Sequence, residues 1–249
     1  MKRWLTYIGL FLLFSGCNSE NAGDCFQIAG TIIQEEISVA DFSTIEVGEG
    51  VTLYLSEGTE NQVILETGSN LINDVNVSVE NGKLLLKDDN SCNFVRKYGV
   101  TKVYVTAVNI TKIINNSQFD VYSEEVLHFN ALELISEDYN TAGLAVGSFH
   151  LEIENQNLTV NFNKISNAYI SGSTNRLTVN FYSGDSRFEG EDLIAQQVYI
   201  YHRSSNDMIV NPVQSISAEI VSTGDVIAVN TPEEIEVESP YVGQLIFTD

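Results

Sequence analysis

The sequence predicts an all-β protein whose second half is a β-solenoid with coils of about 19–20 residues. Three observations lead there. Apolar and polar residues alternate in short runs, such as Val51/Leu53/Leu55 and Val75/Val77/Val79, which is the period of half-buried strands. The pentapeptide Leu-Thr-Val-Asn-Phe occurs at 158–162 and again at 177–181, and similar strand openings follow at Val198, Ile216 and Ile235. No stretch reads as an amphipathic helix of three turns; residues 69–74 are expected to form a single turn capped by Ser69.

A near-constant spacing suits a solenoid, because each coil buries its inner side chains only against its neighbours. Equivalent residues of stacked parallel coils lie about 4.8 Å apart, so Asn161 and Asn180 are expected to form an amide ladder. Corners are expected at Ser171-Gly172-Ser173, Ser183-Gly184-Asp185, Ser204-Ser205-Asn206 and Ser222-Thr223-Gly224-Asp225. Leu132-Glu133-Leu134 and Leu151-Glu152-Ile153 share the same offset. Ile235-Glu236-Val237-Glu238 and Leu245-Ile246-Phe247 are the expected last coil or its cap. The competing architecture is a β-sandwich of hairpins, which would want Asn-Gly or Asp-Gly turns between strands. Asn81-Gly82 fits that, in the first half.

The N-terminus reads as an address. Met1-Lys2-Arg3 is positively charged, and the stretch from Trp4 to Phe14 is apolar apart from Thr6 and Gly9. It is too short for a membrane-spanning helix, which needs about 20 residues, and suits a signal peptide. Phe14-Ser15-Gly16-Cys17 resembles a bacterial lipobox, with Phe14 where Leu is usual. Small residues at 15 and 16 admit the peptidase, and the Cys17 thiol would take the lipid. Residues 1–16 are therefore expected to be a lipoprotein signal peptide, 17–40 a lipid-anchored tether, and 41–249 the β domain. Asn18-Ser19-Glu20 is no strong inner-membrane retention signal, so the expected location is the outer membrane, facing the periplasm or the cell surface.

Charge narrows the partners. Lys and Arg number 12 against 34 Asp and Glu, for a net charge of −22. Removing residues 1–16 takes away Lys2 and Arg3 and no acid. Such a surface repels nucleic-acid phosphates and anionic lipid headgroups, so membrane attachment must come from the lipid itself. At 43% hydrophobic residues the chain still has the apolar mass to fold. With Cys17 acylated, Cys25 and Cys92 remain. An even remainder in an oxidising compartment suggests one disulfide, stabilising by roughly 4 kcal/mol on a loop-entropy account; the alternative is two free buried thiols. Two cysteines without a nearby His make no zinc site, and no cofactor motif is present.

Catalytic candidates are few. Strand alternation would put Asp185, Arg187, Glu189 and Glu191 on one face, with Asp192 adjacent. Two carboxylates about 5–9 Å apart can hydrolyse glycosides, so a glycan-active enzyme using the acids at 185–192 is the alternative reading. The same acids, or Asp88-Asp89-Asn90, could contact Ca²⁺, but calcium-loop spacing is absent. His128, His150 and His202 are isolated and expected at the surface or the edge of the core. Tyr199 and Tyr201 share one face, beside His202; such a stripe can stack on sugar rings or grip a protein, or simply flank the core. No residue is assigned as catalytic and no metal or cofactor is expected. The leading expectation is a non-enzymatic binding or structural module with a glycan or protein ligand.

These residues also resemble a known family. Asp24-Cys25-Phe26-Gln27, Asp41-Phe42-Ser43-Thr44-Ile45, Val51-Thr52-Leu53-Tyr54-Leu55 and Glu66-Thr67-Gly68-Ser69-Asn70-Leu71 carry the likeness, with Asn90-Ser91-Cys92-Asn93-Phe94 and Val103-Tyr104-Val105-Thr106. Ser171-Gly172-Ser173, Asp192-Leu193 and Ser222-Thr223-Gly224-Asp225-Val226 continue it. The chain resembles the head GIN domain family, whose members are lipoproteins and secreted proteins of Bacteroidetes-type bacteria. The resemblance implies a right-handed parallel β-helix, an adhesin-like architecture without an established function, and pairing of Cys25 with Cys92. The chain departs from the family at its corners, which read Ser204-Ser205-Asn206 and Ser222-Thr223-Gly224, and at Ala228-Val229-Asn230-Thr231-Pro232.

Overall fold

The computed structural model describes residues 24–90, 92–137 and 144–248. The expected signal peptide, residues 1–16, and the expected lipidation residue Cys17 lie outside the described residues. Among those described, strands form one curled sheet and no α-helix is present. The first half holds β1 (Ile32–Glu36), β2 (Thr44–Val47), β3 (Thr52–Glu57), β4 (Gln62–Gly68) and β5 (Val75–Glu80). It continues with β6 (Lys83–Asp88), β7 (Lys102–Ala107), β8 (Lys112–Asn115) and β9 (Val121–Ser123). The second half holds β10 (Ala131–Ser136), β11 (Phe149–Phe162), β12 (Asn167–Phe181) and β13 (Arg187–His202). Then come β14 (Met208–Ile220), β15 (Val226–Ala228), β16 (Glu234–Glu238) and β17 (Leu245–Phe247).

From β10 onward every pairing is parallel. Leu158 pairs with Leu177, Leu177 with Val198, Val198 with Ile216, and Ile216 with Ile235. The repeated strand openings of the sequence are thus neighbours in the sheet, and a sandwich of antiparallel hairpins is excluded for this half. One expected equivalence is corrected. Leu132 pairs with Leu158, not with Leu151, because the chain runs further between the end of β10 and the start of β11 than between β11 and β12.

The long strands bend. In β11 the buried positions are Phe149, Leu151 and Ile153, then Leu158, Val160 and Phe162. The two-residue alternation slips a phase at residues 154–157, so the backbone turns a corner while its ladder continues. Each long strand therefore serves two flanks of the sheet, and β12, β13 and β14 repeat the arrangement. At the β12 corner, Gly172 has φ 102°, and a Cβ there would sit 2.1 Å from the Ile153 carbonyl oxygen, so only glycine fits. Inside, Phe162 stacks on Phe149 and Phe181 at centroid distances of 5.4 and 5.6 Å. Outside, Asn180 Nδ2 donates to Asn161 Oδ1 at 2.9 Å, and Asn161 Nδ2 donates to Glu133 Oε1 at 2.9 Å. Lys112 pairs with that same Glu133 at 2.8 Å, so the expected amide ladder is one part of a longer polar chain.

The first half builds the same two flanks from shorter pieces. β2 lies parallel to β6 and β8, and β3 parallel to β7 and β9. Antiparallel strands close this end: β4 on β7, β1 on β4, and β5 on β6. The β5–β6 hairpin turns through Asn81 and Gly82 at φ 52° and 74°, as a type I′ turn demands. β1 falls within residues 17–40, so part of that segment is paired into the sheet. A disulfide joins Cys25 to Cys92 with Cα atoms 4.4 Å apart, and the Phe94 amide donates to the Cys25 carbonyl at 3.0 Å. The expected turn near 69–74 is a 3₁₀ turn at Ile72–Asp74; Leu71 stands at its cap position and makes no side-chain cap.

Candidate binding groove

In β13, Tyr199 and Tyr201 point outward while Val198, Ile200 and His202 point into the core. Parallel pairing sets Ser217 beside Tyr199 and Glu219 beside Tyr201. The next strand adds Glu236 beside Ser217 and Glu238 beside Glu219. Ser217 is small, so a groove opens over it between a tyrosine wall and a glutamate wall. Its volume is about 370 Å³, and Asn180 closes one end. Tyr199 is 38% exposed. The Arg176 guanidinium lies 5.3 Å from its ring centroid, while Ser217 on the other side leaves the ring open. Tyr201 leans on Tyr182 at 5.9 Å. Among the described residues no ion pair reaches Glu219, Glu236 or Glu238. The groove thus offers aromatic surface opposite hydrogen-bond acceptors. Such an arrangement is suited in its chemistry to the apolar face of a sugar ring and the hydroxyls around it.

A second aromatic feature was not legible in the sequence. Tyr104, Tyr54, Tyr122, His150 and Tyr169 stack in that order across the other flank, with centroids 5.0, 5.3, 5.0 and 4.7 Å apart. They occupy the outward positions of β7, β3, β9, β11 and β12. The three inner rings spend both faces on their neighbours, while Tyr169 at one end is 40% exposed and borders the pocket of Glu189, Glu191 and Asp192. The ladder stabilises the stack, at about 0.5–1.5 kcal/mol per aromatic pair, and its inner rings offer a ligand little ring surface. Asp120 accepts from the Tyr122 hydroxyl at 2.9 Å and lies 3.5 Å from His150 Nε2. Burial, helped by that hydrogen bond, pushes the Tyr122 phenol up to about 12. The signal that could have found the ladder is an aromatic residue following a buried one, as in Leu53-Tyr54, Val103-Tyr104, Val121-Tyr122, Phe149-His150 and Ala168-Tyr169.

The acids at 185–192 stand together only in part: Glu189, Glu191 and Asp192 line one pocket with Tyr169, Ile170 and Ser171. A bulge shifts the β13 register between Glu189 and Ile194, which turns both Glu191 and Asp192 to solvent. Glu189 is held by Arg187, and Asp185 by the Ser205 hydroxyl. Of the acids that share this pocket, Glu189 is committed to Arg187, and among the described residues no ion pair reaches Glu191 or Asp192. Asp88-Asp89-Asn90 runs off the end of β6: Asp88 accepts from Thr101 Oγ1 at 2.5 Å and from the Asn90 amide at 2.9 Å, while Asp89 pairs with Lys87. Among the described residues no three of His, Cys, Asp and Glu converge as metal ligands.

The histidines separate. His128 is exposed, 3.3 Å from Glu57. His150 belongs to the ladder. His202 corrects the expectation of an edge position: it is fully buried under Phe181, at the place phenylalanine holds in β11 and β12, and neither ring nitrogen has a partner. Burial holds its pKa below the usual histidine value, against the opposing charges of Asp207 and Asp225.

Comparison with known proteins follows the same lines. The family described as "Putative auto-transporter adhesin, head GIN domain" matches residues 41–232. A crystal structure described as a putative adhesin from Bacteroides fragilis superposes with a TM-score of 0.77 at 20% identity. That match covers 88% of this chain and 97% of the other. A structure described as a putative lipid binding protein from Parabacteroides distasonis gives a TM-score of 0.62 at 16% identity, covering 88% of this chain and 98% of its own. These likenesses show a shared fold. No curated protein matches the sequence.

Proposed function

Because the chain belongs to the head GIN domain family, we propose that it is a non-enzymatic, adhesin-like binding module of the bacterial cell envelope, built as a right-handed parallel β-helix. Cys17 carries the lipid that holds it on the outer membrane, at the periplasmic or the outer surface. The ligand is a glycan. The observation that carries this reading is the groove at Tyr199, Tyr201, Ser217, Glu219, Glu236 and Glu238. It offers an open aromatic face and free acceptors in a space the size of one or two sugar rings.

The adhesin description of the Bacteroides fragilis structure supports the same class of role. A hydrolase at 185–192 finds less support, since Glu189 is tied to Arg187 and both Glu191 and Asp192 lie open to solvent. A glycan array probed with the purified protein tests the reading. Binding to a defined set of oligosaccharides, lost in Tyr199→Ala, is expected; an array without selective binding would overturn it. Labelling of cells with an alkyne-tagged fatty acid tests the anchor: the protein should be labelled, and Cys17→Ser should abolish the label.

A further inference from the structure

The two ends of the sheet are finished differently. At the first end, antiparallel strands and the disulfide lie over the parallel stack. At the other, β16 pairs with β14 on one side, and among the described residues no strand pairs with its other edge. A strand with a single neighbour leaves half its peptide N–H and C=O groups directed outward.

The side chains of β16 give that edge a definite pattern. Ile235 and Val237 occupy the inward columns. In those columns Leu158, Leu177, Val198 and Ile216 are at most 1% exposed, and Val160, Val179, Ile200 and Ala218 at most 6%. Ile235 is 48% exposed and Val237 36%, only because nothing stacks on them. The outward positions are Glu234, Glu236 and Glu238, all exposed and without an ion pair among the described residues. A terminal coil normally carries a polar cap; among the described residues this core column ends at Ile235 and Val237, behind a row of carboxylates.

We propose that this edge accepts an added β-strand from a partner protein, and that the added segment alternates basic with apolar residues. Strand addition takes its affinity from backbone hydrogen bonds and its specificity from alternate side chains. Pairing with β16 would set the apolar side chains of the segment beside Ile235 and Val237. Its other side chains would lie about 4.8 Å from the glutamates, where Lys or Arg is favoured and Asp or Glu repelled. The same row argues against a second copy of this chain, which would bring three glutamates against three. This site shares Glu236 and Glu238 with the groove but makes no use of Tyr199, so it does not depend on sugar stacking there.

A test uses a labelled seven-residue peptide alternating lysine with valine or isoleucine, its ends blocked, followed by fluorescence anisotropy. Three controls accompany it: the same residues with lysines and apolar residues in separate blocks, an alternating glutamate version, and a version N-methylated at every second residue. The lysine-alternating peptide should bind. The blocked and N-methylated versions should bind at least tenfold more weakly, and the glutamate version not at all. Glu234→Lys/Glu236→Lys/Glu238→Lys, all at exposed positions, should reverse the preference toward the glutamate peptide. Amide hydrogen exchange should slow at 234–238 on binding. Tyr199→Ala should leave the peptide affinity unchanged, which keeps the outcome separable from the glycan reading. Equal binding of alternating and blocked peptides would reduce the site to non-specific charge attraction and overturn the proposal. So would absence of binding, or sedimentation showing that the edge joins two copies of this chain.

Discussion

His202 shows how a single side chain can set the pH response of the fold. Its imidazole stands in a column of phenylalanines with both nitrogens unpartnered, and burial keeps the folded pKa below 6.5. The unfolded chain therefore takes up the proton first. Stability from this residue is complete above about pH 6.5, falls as pH drops below it, and goes on falling until the folded form is protonated too. His202→Leu should stabilise by about 1 kcal/mol at pH 7.5, because an unsatisfied buried polar group is removed. It should also flatten the fall in melting temperature between pH 7 and 5; thermal melts across that range check both. Phe181→Ala in the same column should cost about 3–5 kcal/mol, read from urea unfolding.

The elements divide into those that printed themselves in the sequence and those that did not. Leu-Thr-Val-Asn-Phe at 158–162 and 177–181 pairs residue for residue, because an equal spacing along the chain keeps side-chain phase and register together. The first half was opaque because β2 takes its neighbours from residues 83–86 and 112–115, at unequal distances along the chain. The five-ring ladder was hidden for the same reason: its rings come from five strands with no common spacing. The bulge in β13 could not be read either, since alternation gives no warning of an inserted residue. Of the groove, Tyr199 and Tyr201 were legible as an outward pair, but the glutamate wall was not, since it is set by the register of β14 and β16. The disulfide acts at this scale. Cys92→Ser should destabilise by roughly 2–4 kcal/mol through chain entropy. It should also raise hydrogen exchange in β1 before the parallel stack responds.

At the scale of the molecule, a curled stack of parallel strands carries a strongly acidic surface, and the two ends differ. The disulfide end is closed by antiparallel strands; the other exposes β16 and the groove beside it. A lipid on Cys17 would hold such a body near a membrane whose anionic headgroups repel it, leaving its faces free to meet a ligand. The account rests on the groove binding a glycan without altering it. Saturation-transfer NMR on an oligosaccharide selected by the array tests this most directly, because one ligand spectrum reports both contact and integrity. The account predicts saturation of ring C–H protons from the tyrosines, loss of that saturation in Tyr199→Ala/Tyr201→Ala, and an oligosaccharide unchanged after prolonged incubation. Undiminished transfer in the double variant, or cleavage of the sugar, would contradict it.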